Sequence, residues 1–314
     1  MLRKSLIYLS QSGAAKTVVT RTPLRGMAQR FVPGETVDDL VRGIKEAEAS
    51  GLMATGNFLG ESVHDEENAR LAADVYFQVL DRIADEGLKA NVSLKFTQLG
   101  QEISESFLAD NLGRVLDRAK SDGLFIRFDM ESSGFIQQTL DAFENLWSDG
   151  WREIGVVLQS YMKRSAGDVA RMNELGARVR LCKGAYAEPA SVAYQERDRV
   201  DGNFVALMKM LLADGNYPAI ATHDDPMIEA TVDFHQKEGI DKSTFEFQML
   251  HGVRRDLQKQ LVRDGYNVRV YVPFGSHWYP YLMRRLAERP ANMLFMAGSV
   301  VRESPLGFMW PKRG

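Results

Sequence analysis

One alternation, repeated eight times, constrains this chain more than any other feature. Runs rich in β-branched and apolar residues cover 52–58, 90–95, 125–129, 155–159, 178–183, 219–223, 244–248 and 268–271. Between them, helical periodicity covers 66–86, 106–121, 137–147, 167–175, 201–212, 228–237 and 254–263. Several of the short runs are nearly continuously apolar, as strands covered on both sides require, and helical crossovers make them parallel. About eight strand–helix units in 314 residues predict an α/β fold of the (β/α)8 barrel type. An open doubly wound sheet is the alternative, but no strand leads into a Gly-x-Gly-x-x-Gly turn. Residues 1–36 read as an N-terminal helical arm ending in the turn Val32-Pro33-Gly34-Glu35, and 37–314 as the barrel.

Composition narrows the function classes. A hydrophobic content of 45% supports a large core. A net charge of −3 and a pI of about 6.0 give no support to nucleic-acid binding. The single cysteine, Cys182, excludes an internal disulfide and fits a reducing compartment; within a strand run it reads as a small buried side chain. No apolar run approaches the ~20 residues of a membrane span. The opening Met1-Leu-Arg-Lys-Ser-Leu-Ile-Tyr-Leu is interrupted too soon for a signal peptide, so a cytoplasmic protein is expected.

Polar residues gather where the proposed strands end: Asn57, Lys95, Asp129, Gln159, Lys183, His223, Gln248 and Tyr271. A barrel carries its chemistry on that rim. After the last strand, an aromatic stretch from Tyr271 to Tyr281 leads into Leu-Met-Arg284-Arg285-Leu-Ala-Glu288-Arg289-Pro290. Tyr281, Arg284, Arg285 and Glu288 can share a helical face, and the adjacent arginines can close on one anion from two directions. The competing reading is a solvated helix laced by surface ion pairs. With Arg180, the pair suits a carboxylate substrate, a pyrophosphate cofactor or both. Glycines at Gly100, Gly184 and Gly275 suit backbone approach to a phosphate or ordinary turns. Asp129-Met130-Glu131 offers acid/base groups or partners for the arginines. Of five histidines only His223-Asp224-Asp225 forms a tight cluster, and hydrogen-bonded histidines are preferred over a metal site. Lys95 and Lys183 keep a Schiff-base lyase open as an alternative, and a catalytically silent barrel sensing an anionic metabolite is a third reading.

Seven ordered segments then carry a resemblance. They are Val92-Ser-Leu-Lys95-Phe-Thr97-Gln98-Leu-Gly100, Asp129-Met-Glu131, Val157-Leu-Gln159-Ser-Tyr161, Val179-Arg180-Leu-Cys182-Lys183-Gly184-Ala185-Tyr186, Ala221-Thr222-His223-Asp224, Phe247-Gln248-Met-Leu250-His251-Gly252 and Tyr281 to Pro290. Together the chain resembles the proline dehydrogenase family, and is most similar to its short bacterial monofunctional members. The resemblance implies a distorted (β/α)8 TIM-like barrel with FAD bound non-covalently. It implies oxidation of L-proline to 1-pyrroline-5-carboxylate, the first step of proline catabolism to glutamate, with a quinone as electron acceptor. It implies that Lys95, Arg284 and Arg285 bind the proline carboxylate and that Tyr271, Leu250 and Tyr281 pack the ring. Asp129 and Arg180 are implied as catalytic residues, Arg180 near the flavin N5. Met130, Gln159, Lys183, Gly184, Ala185, Thr222 and His223 are implied to line FAD. Two positions depart from the family pattern: Cys182 stands for the usual valine, and Asn57 for a frequent aspartate. The apolar tail 306–310 suits either capping of the barrel, the preferred reading, or transient contact with the inner membrane face.

Overall fold

The structure, a computed structural model, describes residues 30–288, with 284–288 described as backbone alone. The expected arm before residue 30, the side chains of Arg284 and Arg285, and the tail 306–310 lie outside the described residues. Eight strands form a closed, all-parallel barrel in sequence order. They are β1 (Met53–Phe58), β2 (Ala90–Leu94), β3 (Ile126–Phe128), β4 (Ile154–Gln159), β5 (Arg178–Cys182), β6 (Ala219–Ala221), β7 (Glu246–Leu250) and β8 (Asn267–Phe274). Every predicted strand overlaps an observed one, and closure disposes of the open-sheet alternative.

The helices are α1 (Val37–Glu48), α2 (Glu66–Asp85), α3 (Glu105–Ser121), α4 (Ser133–Ser148), α5 (Ser165–Leu175), α6 (Arg197–Asp214), α7 (Asp225–Lys237), α8 (Arg255–Arg263) and α9 (Trp278–Glu288). Local chemistry sets their ends. Thr36 and Asp39 cap α1 reciprocally, Asp65 accepts from the Asn68 amide at the start of α2, and Ser104 accepts from Phe107 at the start of α3. Gly176, at φ 69°, ends α5 in the left-handed conformation.

The distortion lies at the seam where β8 meets β1. A regular barrel would lay the helix after β8 along this seam, but α1 packs on both strands instead. Two glycines allow the close approach. A β-carbon at Gly43 would come within 2.7 Å of Pro33 and 3.0 Å of Val272, and one at Gly56 would meet Leu40 at 3.0 Å. Helix α9 is thereby free to join a separate apolar cluster with Phe31, Val32 and Leu59, the residue that follows β1 at the C-terminal end of the barrel. The Trp278 indole donates to Glu35 at 3.0 Å and ties α9 to the segment before α1.

Candidate active site

Asp129 is the centre of the rim. It follows β3 directly, and its amide donates to the Leu94 carbonyl at 2.8 Å, which fixes its backbone against β2. Arg180 donates through Nη1 to Asp129 Oδ1 at 3.0 Å and through Nη2 to Ser93 Oγ at 2.6 Å. The Tyr271 hydroxyl donates to Asp129 Oδ2 at 2.6 Å, and Lys95 Nζ stands 4.0 Å from the same oxygen. The Arg180 guanidinium lies 5.3 Å from the centre of the Tyr271 ring, in cation–π range. Burial holds the Tyr271 phenol well above its ordinary range; Asp129 and Tyr281 add to this while Arg180 opposes it, so the hydroxyl stays a neutral donor. Four sequence-predicted residues thus form one network: Lys95 and Asp129 follow β2 and β3, while Arg180 and Tyr271 point inward from within β5 and β8, whose ends lie further on. Tyr281 is buried close enough to bear on Tyr271, and Leu250 pairs in register with Tyr271.

The remaining predicted residues continue around the rim. Met130 is buried, and Gln159 donates to the carbonyls of Met130 and Glu131, both at 3.3 Å. Gly184 takes φ 109°, and a β-carbon there would strike the Tyr161 ring at 2.3 Å, so only glycine fits against that ring. Ala185 is exposed beside it. Lys183 is clamped between Asp201 and Asp224, the latter at 2.6 Å. Thr222 is buried and accepts from the Asp224 amide at 3.1 Å. His223 Nε2 accepts the Leu250 amide at 2.8 Å, so a proton on the ring belongs to Nδ1.

One expectation needs correction, and the alternatives to the preferred readings lose support. Gln248 does not end its strand and is not in the Asp129 network: β7 starts two residues later than expected, after the 3-10 turn Lys242–Thr244, and Gln248 donates to buried Glu246 at 2.5 Å. Asn57 is fully buried in the wall, bonded to the Ser93 carbonyl at 3.2 Å. The His223-Asp224-Asp225 cluster disperses to three partners: the Leu250 amide, Lys183 and Arg254. Lys183, held by two carboxylates, lacks the apolar surroundings that a Schiff-base lysine needs.

The family model for proline dehydrogenase matches residues 40–298. The chain belongs to the proline dehydrogenase family. It is 38% identical to proline dehydrogenase 1 of Bacillus subtilis (strain 168) over 303 residues, covering 96% of this chain and all of that protein. It is 37% identical to proline dehydrogenase of Deinococcus radiodurans, covering 96% of this chain and 98% of that one. Among solved structures it is similar to proline utilization A from Bdellovibrio bacteriovorus inactivated by N-propargylglycine. There the TM-score is 0.82 and the identity 26%, covering 93% of this chain and 35% of that one. The chain is therefore an oxidoreductase of proline catabolism, with proline as substrate.

Proline dehydrogenases are flavoenzymes, and the rim suits such a group. Gln159 Oε1 and Arg180 Nε are buried with no partner among the described residues, an acceptor and a donor near Asp129 and Met130. An unpaired buried polar atom is costly, and a ligand with complementary polar edges removes that cost. Sequence reasoning about this proline dehydrogenase missed Ser93, which anchors Arg180, and Thr97, which is the partner of Glu131 where an arginine was expected. Thr97 donates its hydroxyl to Glu131 at 2.7 Å, while burial pushes the Glu131 carboxyl up against that bond. Both were legible as polar residues within quoted motifs, but nothing local names their partners 34 and 87 positions away.

Proposed function

We propose that this chain oxidises L-proline to 1-pyrroline-5-carboxylate by hydride transfer to N5 of a non-covalently held FAD, with a quinone taking the electrons. The network of Lys95, Arg180 and Tyr271 around Asp129 carries the reading. Lys95, with Arg284 and Arg285, meets the proline carboxylate. Arginine forks match a carboxylate in two directions, and lysine adds a point charge. Tyr271, Leu250 and Tyr281 line the ring. Gln159, Arg180 and the Gly184–Ala185 backbone hold the flavin ring system, with Met130, Lys183, Thr222 and His223 beside it.

FAD, when bound, supplies the hydride acceptor, so the protein's task is to orient, desolvate and neutralise. The ring nitrogen must release its ammonium proton before its lone pair can support loss of hydride from the neighbouring carbon. Asp129 has both oxygens engaged by donors, so its role is to hold Arg180, Tyr271 and Lys95 in place. The substrate ammonium then loses its proton to solvent. Among the described residues no helix is long and apolar enough to cross a membrane. The proposed setting is the cytoplasm, with peripheral contact at the inner membrane face for quinone delivery.

The test is spectroscopic. Protein purified with FAD is yellow and bleaches on anaerobic addition of L-proline, and acid precipitation leaves the chromophore in the supernatant. A protein that takes up no FAD overturns the reading. Colour that stays with the acid pellet overturns non-covalent binding alone.

A further inference from the structure

Residues 183–196 form a long loop between β5 and α6. Its two ends are fastened to the loop after β4. At one end the Tyr161 amide donates to the Lys183 carbonyl at 2.9 Å. At the other the Lys163 amide donates to Val192 at 3.0 Å, Tyr194 to Tyr161 at 2.8 Å, and Lys163 Nζ to Ala190 at 2.7 Å. Between them lies Gly184-Ala185-Tyr186-Ala187-Glu188, with Gly184 against the Tyr161 ring. From its far side Glu188 reaches across to the start of α4, directly after the loop that follows β3. Its carboxylate accepts the Ser133 amide at 2.7 Å through Oε1 and the Ser133 hydroxyl at 2.5 Å through Oε2.

Ser133 opens α4, and the N-cap residue Ser132 makes no side-chain cap of its own. A carboxylate is well placed there, since it meets unpaired amides and the positive end of the helix. The cap of α4 is thus supplied by a residue 55 positions away. The link joins the segment that carries Asp129 and Met130 to the one that carries Lys183, Gly184 and Ala185, on either side of Gln159. We propose that Glu188 is a positioning residue, a latch that holds these two rim loops together and sets how long the flavin stays bound. The inference rests on the flavin reading above and extends it to a residue outside the site residues.

The test compares E188A, S133A, the double variant and E188D in the full chain. FAD fluorescence after dilution reads flavin release. Release from E188A is about tenfold faster than from the parent, the scale of one charge-assisted hydrogen bond. S133A has a smaller effect, since its amide still binds Glu188. The double variant releases no faster than E188A, because both changes remove one shared contact, and E188D recovers part of the loss. KM for proline stays unchanged, because the latch touches neither Lys95 nor Tyr271. Parental release from E188A, or additive effects of the two substitutions, overturns the latch. Limited proteolysis of flavin-free protein separates the two readings. If no variant binds flavin, the proposed function and the latch's role in retention both fall, and cleavage within 183–196 shows whether the contact still fastens the loop.

Discussion

The two faces of the barrel wall are built to opposite rules. Outward, toward the helices, the strands present Val92, Leu94, Ile126, Val156, Leu181, Phe247, Val270 and their neighbours, all buried in one continuous apolar core. Inward, the alternate positions carry Thr55, Asn57, Ser93, Arg127, Arg180, Glu246, Gln248, Arg269 and Tyr271. A barrel interior is ordinarily filled with branched apolar side chains. Here it is a network of charges and hydrogen bonds. Glu246 accepts Arg269 at 2.9 Å and Gln248 at 2.5 Å, and Arg127 donates to the carbonyls of Val156 at 3.2 Å and Arg178 at 2.7 Å. Burial pushes the Glu246 carboxyl up, but Arg269, Gln248 and Arg127 together outweigh it and leave the group below its ordinary range. The outward face supplies cohesion, and the inward face supplies positions for charge. Single changes on the two faces must therefore differ in size and kind.

Cutting the inward network has the largest expected effect. Glu246→Leu leaves Arg269 buried without its carboxylate and costs about 3–5 kcal/mol. Urea unfolding reads the loss. Adding Arg269→Met removes the stranded charge and restores most of the stability; a double variant as weak as the single would show that the pair itself does not set the cost.

The next effect follows pH. Burial, with Arg255 adding, holds the His251 imidazole down to about 4 from 6.5. Between those values the unfolded chain binds the proton that the folded chain refuses. The stability this gives is full above pH 6.5 and is lost as pH falls through 4, by about 3 kcal/mol. His251→Phe flattens that window in unfolding curves measured at several pH values. An unchanged pH slope would mean that His251 is not held neutral by the fold. The apolar residues of the outward face carry nothing that titrates.

Asp129→Asn tests the rim. It keeps the shape but loses the charge that steadies Arg180 and Lys95, so kcat/KM for proline falls about 100-fold, or about 2.7 kcal/mol, with flavin content retained. Steady-state kinetics at saturating acceptor reads it. Smallest is Ile220→Val on the outward face, which costs about 1 kcal/mol and leaves kcat alone. A kinetic defect there would erase the division between the faces.

The same division explains what the amino-acid order discloses. The eight strands are legible because outward apolar residues and turn signals mark each of them. The inward face is not. Arg178-Val-Arg180 and Asn267-Val-Arg269-Val-Tyr271 alternate like strands with one face in water, and only barrel closure turns that polar face inward. Nearly continuous apolar character holds for β4 and β6, whose inward positions include Gly155, Val157, Ala219 and Ala221, and elsewhere for the outer face alone. Lys95, Asp129, Arg180 and Tyr271 were recognisable from strand ends and motif order, but the partners of buried charges were not. Glu246 and Arg269 meet only through the register of β7 on β8. That α1 would take the seam left by α9 was equally hidden, since its signal is two glycines whose neighbours lie far along the chain.

That substitution at the seam bears on the order of assembly. The first and last strands can hold together only once both exist, and the helix that shields their junction is made before either. During synthesis α1 waits, with its apolar side uncovered, for most of the chain to emerge. Barrel closure is thus a late event that needs an early element, and loss of α1 should stall folding at the last step rather than weaken a finished protein.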